Sequence, residues 1–203
     1  DLIFTTHLNF AVAADWLKRW RSVPYWCITH GIEAWNIQDG SRITALRQAD
    51  RVLAVSAYTR KTLLDKLDLA PENLRILPNT FDSDRFKPSP KPEYLLRRHG
   101  LSSSKRIILT VARLAGAERY KGYDTLIRTL PIVRRSVPEA HYVLAGDGPD
   151  RARVAYLVQQ LNLSDCVSLV GFIPDPELVD YYNLCDVFAM PSKGEGFGIV
   201  YLE

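Results

Sequence analysis

Short apolar segments alternate with stretches of helical periodicity along nearly the whole chain, and this alternation limits the fold more than any other feature. Eight segments have the length and composition of β-strands: 2–6, 25–29, 51–56, 74–77, 106–112, 140–145, 167–170 and 187–190. Five segments between them have the period of amphipathic helices: 11–21, 57–67, 123–136, 151–161 and 175–184. Strands that alternate with helices long enough to cross a sheet predict parallel sheets with helices on both faces. We therefore expect an α/β protein.

The composition is that of a globular protein without concentrated charge. The 203 residues are 47% hydrophobic and 24% charged, and the formal net charge is +3. Such a chain can bury the core of one large domain or of two small ones. A nucleic-acid-binding protein would gather its basic residues on one face, whereas these are spread along the sequence. We therefore exclude nucleic acid as a partner and keep an anionic small molecule as a candidate.

The cysteines and the apolar segments indicate a cellular setting. Cys27, Cys166 and Cys185 are too few and too scattered for a disulfide framework, and none forms a C-x-x-C pair. No apolar segment reaches the roughly 18 to 20 residues that span a bilayer, and no signal peptide is visible. These features predict a cytoplasmic protein. Because the chain begins without Met and stops within a predicted helix, we also expect a fragment that lacks both ends.

The alternation breaks between residues 82 and 105, which indicates a linker. This stretch contains Pro88, Pro90, Pro92 and a serine-rich run, with one short helix predicted around 93–99. The prediction is an N-terminal domain at 1–87, a linker at 88–104 and a C-terminal domain at 105–203. Two α/β domains joined in this way form a cleft, and ligands of such domains bind at the carboxyl ends of the strands.

The segment 190–203 is rich in glycine and follows a predicted strand. Gly194, Gly196 and Gly198 let the backbone approach a ligand closely, and the N–H groups of a helix that starts there favour a diphosphate. Glu195 and Glu203 lie eight residues apart, which is roughly 10 Å along a helix, so one carboxylate can meet a sugar and the other a ribose. The alternative is an ordinary strand-to-helix turn with surface glutamates, and these residues alone do not decide between the two.

Two basic residues follow the first predicted strand of the second domain. Arg113 comes at the carboxyl end of that strand and Lys121 precedes the next helix, so both cations would lie where a phosphate leaving group sits. In isolation, an ion-paired arginine and a solvated lysine are the more ordinary interpretation. Together with the paired glutamates, the two cations favour phosphate binding.

These segments resemble the retaining GT-B glycosyltransferases of glycosyltransferase family 4, also described as glycosyl transferases group 1. The resemblance is carried, in the family's order, by His-Gly at 30–31, Arg to Lys-Gly at 113–122, G-D-G-P at 146–149 and E-x7-E with G-E-G-F-G at 194–203. It implies GT-B architecture, which is two Rossmann-like domains facing across a cleft, both incomplete here. It also implies sugar transfer from a UDP- or GDP-sugar to an acceptor hydroxyl with retention at the anomeric carbon. The loop between Arg113 and Lys121 is longer than the family's commonest form.

The resemblance implies roles for individual residues. The catalytic candidates are Arg113 and Lys121, which would neutralise the diphosphate, and Glu195 and His30, which would contact the donor. Further donor-binding candidates are Gly146, Gly148, Phe172, Ile173, Gly196, Phe197, Gly198 and Glu203, the last at the ribose. No metal and no cofactor is expected, since the chemistry asks for preorganised cations and the sequence has no D-x-D pair near these segments. The partners implied are the nucleotide-sugar and a saccharide, lipid-linked or small-molecule acceptor, as in polysaccharide or glycolipid biosynthesis.

Several of these candidates have ordinary structural explanations. Gly146 and Gly148 follow a strand as in dinucleotide-binding motifs, but an arginine stands where the third glycine is required, so a tight turn is the simpler account. Phe172 and Ile173 can cover a nucleobase or belong to the core. His30 ends a strand on the ligand side of a sheet, although a lone histidine is more often structural.

The predicted helix at 11–21 carries Trp16, Trp20 and three basic residues. Aromatic and basic residues together are typical of helices that lie on a membrane surface, so a peripheral contact at the inner membrane face is one alternative. A crossover helix with a basic solvent face is the interpretation that the alternation favours.

Two rival functions use the same donor pocket. An epimerase acting on the nucleotide-sugar would need additional acid and base carboxylates in the first domain. A non-catalytic nucleotide-sugar-binding protein would bind the nucleotide without turnover. The sequence identifies neither the base, the sugar nor the acceptor.

Overall fold

The computed structural model describes residues 1–203 and divides the chain into two compact units. The first unit comprises Asp1–Thr80 and Glu195–Ile199, and the second comprises Phe81–Gly194 and Val200–Glu203. Each unit contains one parallel sheet of four strands with helices between the strands. The predicted α/β class with two Rossmann-like sheets is thereby confirmed.

The first unit is wound sequentially, and its strands are ordered β1-β2-β3-β4. Its elements are β1 (Ile3–Thr5), α1 (Ala11–Arg21), β2 (Tyr25–Thr29), α2 (Ile32–Trp35), α3 (Gly40–Gln48), β3 (Arg51–Ala54), α4 (Ala57–Leu67) and β4 (Leu74–Ile76). The alternate residues Tyr25, Cys27 and Thr29 of β2 are buried, as the period of two in a strand requires. Their buried face packs against Ala14 of α1 and Leu46 of α3 in one core cluster.

The second unit has the strand order β7-β6-β5-β8. Its elements are α5 (Glu93–Arg98), β5 (Arg106–Val111), α6 (Tyr123–Ser136), β6 (Ala140–Ala145), α7 (Arg151–Gln160), β7 (Val167–Gly171), α8 (Leu178–Leu184) and β8 (Val187–Phe188). All six residues of β6 are buried, which is typical of a central parallel strand covered on both faces.

This order places a topological switch point in the second sheet. From β5 the chain builds outward through β6 to β7 and then returns to the other side of β5 as β8, so the connections run in opposite directions from β5. In open α/β sheets the crevice outside the carboxyl ends of the strands at such a point is where ligands bind. The segments that leave β5 and β8 therefore border the crevice where a ligand is expected.

The predicted elements match the observed ones with small differences in their bounds. Two corrections concern helices. Helices α2 and α3 were not among the predicted helices, and α3 begins at Gly40 after its N-cap residue Asp39, whose carboxylate accepts hydrogen bonds from the N–H groups of Ser41 and Arg42. The predicted helix after Gly198 is only a 3-10 turn, Ile199–Tyr201, whose tighter bonding is that of a single terminal turn. No helix is both long enough and apolar enough to cross a bilayer.

Candidate functional site

A cavity of about 450 Å³ lies at the carboxyl ends of β5, β6 and β7 in the second unit. Its lining residues are Val111, Ala112, Arg113, Lys121, Gly146, Asp147, Phe172, Ile173 and Leu178. Five of the sequence-predicted site residues are thus brought together in one cavity, although they come from three separate segments. The cavity lies on the ligand-binding side of the sheet.

The backbone that carries Arg113 is fixed to the turn after β6. The N–H of Leu114 donates to the carbonyl of Asp147 (2.9 Å), and the N–H of Asp150 donates to the carbonyl of Leu114 (3.0 Å). This close approach requires glycine: a Cβ on Gly146 would lie 1.8 Å from the Ala112 carbonyl oxygen. Both Gly146 and Gly148 also have φ near +140°, at +134° and +149°. The two glycines therefore have a structural task, and contact with a ligand stays a prediction for them.

A carboxylate that the sequence analysis did not single out joins the two cations of the cavity. One oxygen of Glu118 lies 3.5 Å from Nε of Arg113, and the other lies 3.8 Å from Nζ of Lys121. The Arg113 side chain is largely exposed, whereas those of Glu118 and Lys121 are mostly covered. Two cations gathered around one carboxylate can accommodate a larger anion at the same place.

The loop that carries Lys121 forms a 3-10 helix, Gly116–Lys121, and an ion-pair network holds this helix. Arg119 donates two hydrogen bonds to the buried carboxylate of Asp150 (2.9 and 3.2 Å). Arg153 bonds the same carboxylate and also that of Asp124. These guanidinium bonds hold the pKa of Asp150 far below its usual range. The loop extension in the sequence is therefore anchored at the start of α7.

The segment that leaves β8 packs against the residues around Lys121. The N–H of Lys193 donates to the carbonyl of Tyr120 (2.9 Å), and a Cβ on Gly122 would lie 2.5 Å from the Pro191 carbonyl oxygen. Gly122 also has a φ of +84°, which favours glycine. The Lys-Gly pair thus marks the contact between the segments on either side of the switch point.

The sequence left open whether Phe172 and Ile173 cover a ligand or belong to the core, and the two residues differ in this respect. Ile173 is buried in a core cluster with Tyr181 and Leu184, whereas Phe172 is 75% exposed. Both residues line the cavity. An exposed aromatic ring at the rim of a cavity can stack on a flat ligand, and the buried isoleucine shapes the wall beneath it.

In the first unit, His30 stands at the carboxyl end of β2 beside the end of β1. Its Nε2 lies 2.7 Å from the carbonyl oxygen of Thr6. Because a carbonyl oxygen only accepts, Nε2 is the donor in this contact. The ring is stacked with that of His7 at 6.2 Å, and the N–H of His30 donates to Glu33 (2.5 Å). His30 is thus exposed yet held in a defined orientation.

The segment Glu195–Ile199, which contains four predicted residues, belongs to the first unit. The carbonyl of Gly196 accepts a hydrogen bond from the hydroxyl of Ser56 (2.8 Å), and a Cβ on Gly196 would lie 1.7 Å from the carbonyl oxygen of His30. Gly31 meets Gly196 in the same close approach. The segment therefore places Glu195, Gly196, Phe197 and Gly198 close to the end of β2 that carries His30. The sequence indicates Ser56 only as the N-cap of α4, a role it also performs.

Glu203 does not line the cavity that contains Arg113. Its carboxylate accepts a hydrogen bond from the hydroxyl of Tyr182 (2.8 Å), and both residues line another cavity of about 360 Å³. Burial and the Glu203 carboxylate together raise the pKa of the Tyr182 hydroxyl. The ribose contact of Glu203 stays a prediction.

A sequence model described as "Glycosyl transferases group 1" matches residues 93–203, which is more than half of the chain and includes the whole cavity. The chain belongs to the glycosyl transferases group 1 family. A model described as "Glycosyltransferase Family 4" matches residues 1–85 of this family member.

Among its relatives is a GDP-mannose-dependent alpha-(1-6)-phosphatidylinositol monomannoside mannosyltransferase from Mycolicibacterium smegmatis. The two proteins are 36% identical over 188 residues, which cover 86% of this chain and 48% of the relative. A phosphatidylinositol N-acetylglucosaminyltransferase subunit of Saccharomyces cerevisiae is 28% identical over 158 residues, covering 78% of this chain and 34% of the subunit. The chain spans about half the length of the mannosyltransferases it matches.

Solved structures share the fold. The Anabaena protein HepE in complex with UDP and glucose has a TM-score of 0.82 at 22% identity, over 98% of this chain and 55% of HepE. Sucrose-phosphate synthase from Thermosynechococcus elongatus has a TM-score of 0.79 at 25% identity, over 98% of this chain and 52% of the synthase. The predicted fold class, part of a GT-B glycosyltransferase, is confirmed.

Proposed function

We propose that the protein transfers a sugar from a nucleoside-diphosphate sugar to an acceptor hydroxyl, with retention at the anomeric carbon. The observation that carries the proposal is the placement of Arg113 and Lys121 in one cavity, around the single carboxylate of Glu118, at a switch point of a Rossmann-type sheet. A diphosphate is the ligand that two convergent cations at this place favour. Family membership supports the same reaction.

The proposed chemistry needs chiefly the stabilisation of a leaving group. The bond between the anomeric carbon and the diphosphate oxygen breaks, and its electron pair stays on that oxygen. The acceptor oxygen forms the new bond to the anomeric carbon, and its proton passes to the departing diphosphate or to solvent. Arg113 and Lys121 would stabilise the negative charge that develops on the diphosphate, because preorganised cations in a cavity act without reorganisation. Glu195 and His30 are the proposed contacts of the donor sugar, and no metal or cofactor is required by this scheme.

The donor base is proposed to lie against Phe172, above Ile173. The exposed ring can stack on either a uracil or a guanine, so the cavity wall alone does not choose between UDP- and GDP-sugars. The named relative from Mycolicibacterium smegmatis uses GDP-mannose, whereas HepE was solved with UDP. We therefore propose a UDP- or GDP-hexose as the donor.

The acceptor is proposed to be a glycolipid or a saccharide. Two of the relatives are named for phosphatidylinositol-based acceptors, and this supports a lipid-linked acceptor. We propose that such an acceptor is reached at the cytoplasmic membrane face.

A thermal-shift panel tests the donor. UDP-, GDP- and ADP-sugars should be compared at equal concentration, and one or two of them should raise the melting temperature, since a ligand that binds only the folded state stabilises it by mass action. Failure of every nucleotide and nucleotide-sugar to stabilise the protein would contradict the proposal.

Measurements of turnover distinguish a glycosyltransferase from an epimerase and from a non-catalytic binding protein. The nucleotide released from the donor should be measured with and without a glycolipid or saccharide acceptor, and we expect release that depends on the acceptor. Conversion of the donor into another nucleotide-sugar without release would indicate an epimerase. Binding without any turnover would indicate a non-catalytic protein.

A further inference from the structure

Helix α1 packs on the first sheet with its smallest residues and leaves its largest exposed. The buried residues of α1 are Ala11, Ala14 and Asp15. Trp16 and Trp20, in contrast, are each 61% exposed. The helix is therefore a crossover helix, as the alternation predicted, and it also presents two tryptophans to the surroundings. Large side chains left outside the core in this way indicate an interaction surface.

The exposed apolar residues of α1 form one continuous stripe. Val12, Trp16 and Trp20 follow one another at a spacing of four residues, which places them on the same side of the helix. The two indole rings are stacked with their centroids 5.4 Å apart and an interplanar angle of 29°. The stripe is thus held as a ridge by ring stacking along the helix.

The exposed charges of the helix are cationic. Its basic residues Lys18, Arg19 and Arg21 lie in the last turns. The guanidinium of Arg21 lies 4.1 Å from the Trp20 ring centroid, beside the ridge. The single carboxylate of the helix, Asp15, is buried and pairs with Arg19 at 2.7 Å, whose side chain is mostly exposed. The face therefore combines indole rings with guanidinium groups and presents no exposed carboxylate from its own helix.

We propose that this face, defined by Val12, Trp16, Arg19, Trp20 and Arg21, docks on an anionic lipid membrane. Indole rings favour the headgroup region because they combine an apolar body with a polar N–H, and arginines beside them reach lipid phosphates. The charge of the face is complementary to that of an anionic leaflet. A helix lying in the plane of the interface would bury the ridge and leave the sheet side of α1 unchanged. The inference does not depend on the donor chemistry proposed above.

Binding to vesicles tests the proposal directly. The protein should be sedimented with vesicles of phosphatidylcholine alone and with vesicles that contain about 30% phosphatidylglycerol, at low salt. We expect binding to the anionic vesicles, weaker binding as salt is raised, and a blue shift of tryptophan fluorescence. Equal binding to the neutral and the anionic vesicles, or no binding to either, would overturn the proposal.

Two double variants separate the two components of the surface. Trp16→Ala with Trp20→Ala removes the ridge, and Arg19→Gln with Arg21→Gln removes the charge while keeping the tryptophans. Each should weaken vesicle binding by about tenfold or more, since the arginines are attracted to an anionic surface and the indole rings insert at the interface. Circular dichroism checks that both variants remain folded, which matters most for Arg19→Gln because Arg19 pairs with the buried Asp15. Arg21→Gln alone leaves that pair intact and should still weaken binding to the anionic vesicles.

Tyr156→Ala supplies the matched control. This aromatic residue of α7 is also 61% exposed, and its loss should leave vesicle binding unchanged. An equal loss of vesicle binding in Tyr156→Ala and in the tryptophan double variant would contradict a binding surface localised on α1. Self-association of the wild type that disappears in the tryptophan variant, without any vesicle binding, would instead assign the face to a second copy of the chain.

Discussion

At the scale of single residues, the proposed reaction depends most on Lys121. Lys121→Ala should lower kcat/KM for the donor by about 10² to 10³, since the loss of one preorganised group that stabilises transition-state charge has effects of that order. The measurement is steady-state turnover with the donor found in the panel. Arg128→Ala is the matched control, because Arg128 is an exposed cation of α6 in the same unit, away from the cavity. Equal activity of the Lys121 variant and the wild type would contradict the diphosphate assignment.

For Glu118 we expect that substitution strengthens ligand binding. Its carboxylate lies between Arg113 and Lys121, so an incoming diphosphate competes with it for the same cations. Glu118→Gln should therefore strengthen the binding of free UDP or GDP by about three- to tenfold, a modest effect because Arg113 is exposed and its interactions are screened. Titration calorimetry measures this change directly. Weaker nucleotide binding in the variant would show that Glu118 holds the two cations in place instead.

Lys121 and Glu118 show how much of the candidate site can be predicted from the sequence. Arg113 and Lys121 were predicted because each lies next to a strand or helix end in a recognisable motif. Glu118 was missed because a glutamate in an irregular loop looks like any surface charge. The contact of His30 with the Thr6 carbonyl was also missed, since it joins the ends of two strands that are distant in sequence. Side-chain contacts across strands follow from register, which single-sequence patterns do not contain.

At the scale of elements, the loop Gly116–Lys121 depends on its anchor at the start of α7. Asp150→Asn would leave Arg119 and Arg153 sharing a neutral amide, and we expect a loss of about 2 kcal/mol in the free energy of unfolding. Donor affinity should also fall, by about tenfold, because Lys121 belongs to the same loop. Urea denaturation and nucleotide titration measure the two effects.

Asp165→Asn is the control for that prediction. Asp165 also pairs with an arginine, Arg134 at 2.9 Å, but it is largely exposed, and exposed pairs contribute little. Its substitution should change neither stability nor donor affinity appreciably. A loss of stability in the Asp150 variant with unchanged donor affinity would restrict Asp150 to a purely structural role.

The elements themselves were largely predictable, and their arrangement was not. The strands are short apolar runs bounded by turn residues, so local pattern is sufficient to find them. Helix α3 was overlooked because only three of its residues, Ile43, Ala45 and Leu46, are apolar, and because its start depends on the Asp39 cap. The order β7-β6-β5-β8 comes from pairings between segments far apart in sequence, so only the structure reveals the switch point.

At the scale of the whole molecule, stability should fall on acidification. Burial lowers the pKa of His141 from its usual 6.5 to about 4. Between these two values the unfolded chain binds a proton that the folded chain excludes, so the free energy of unfolding should decrease by about 3 kcal/mol as the pH falls from 6.5 to 4. The depressed pKa of Asp150 extends the loss to lower pH, because its protonation ends the bonds to the arginines.

Urea denaturation at several pH values checks this dependence. His141→Gln should flatten the curve between pH 6.5 and 4, since glutamine does not titrate and can still bond the Ser168 hydroxyl that lies 2.8 Å from the histidine ring. An unchanged slope in the variant would assign the acid sensitivity to other groups.

The way the cavity is built has a consequence for attempts to change which nucleotide the protein binds. Part of its lining is the main chain at Gly146, where a side chain does not fit, whereas Phe172, which also lines the cavity, is 75% exposed. A library randomised at that one rim position could therefore explore new nucleotide preferences while nearly every variant still folds, whereas substitutions at Gly146 or Gly148 would disturb the fold itself.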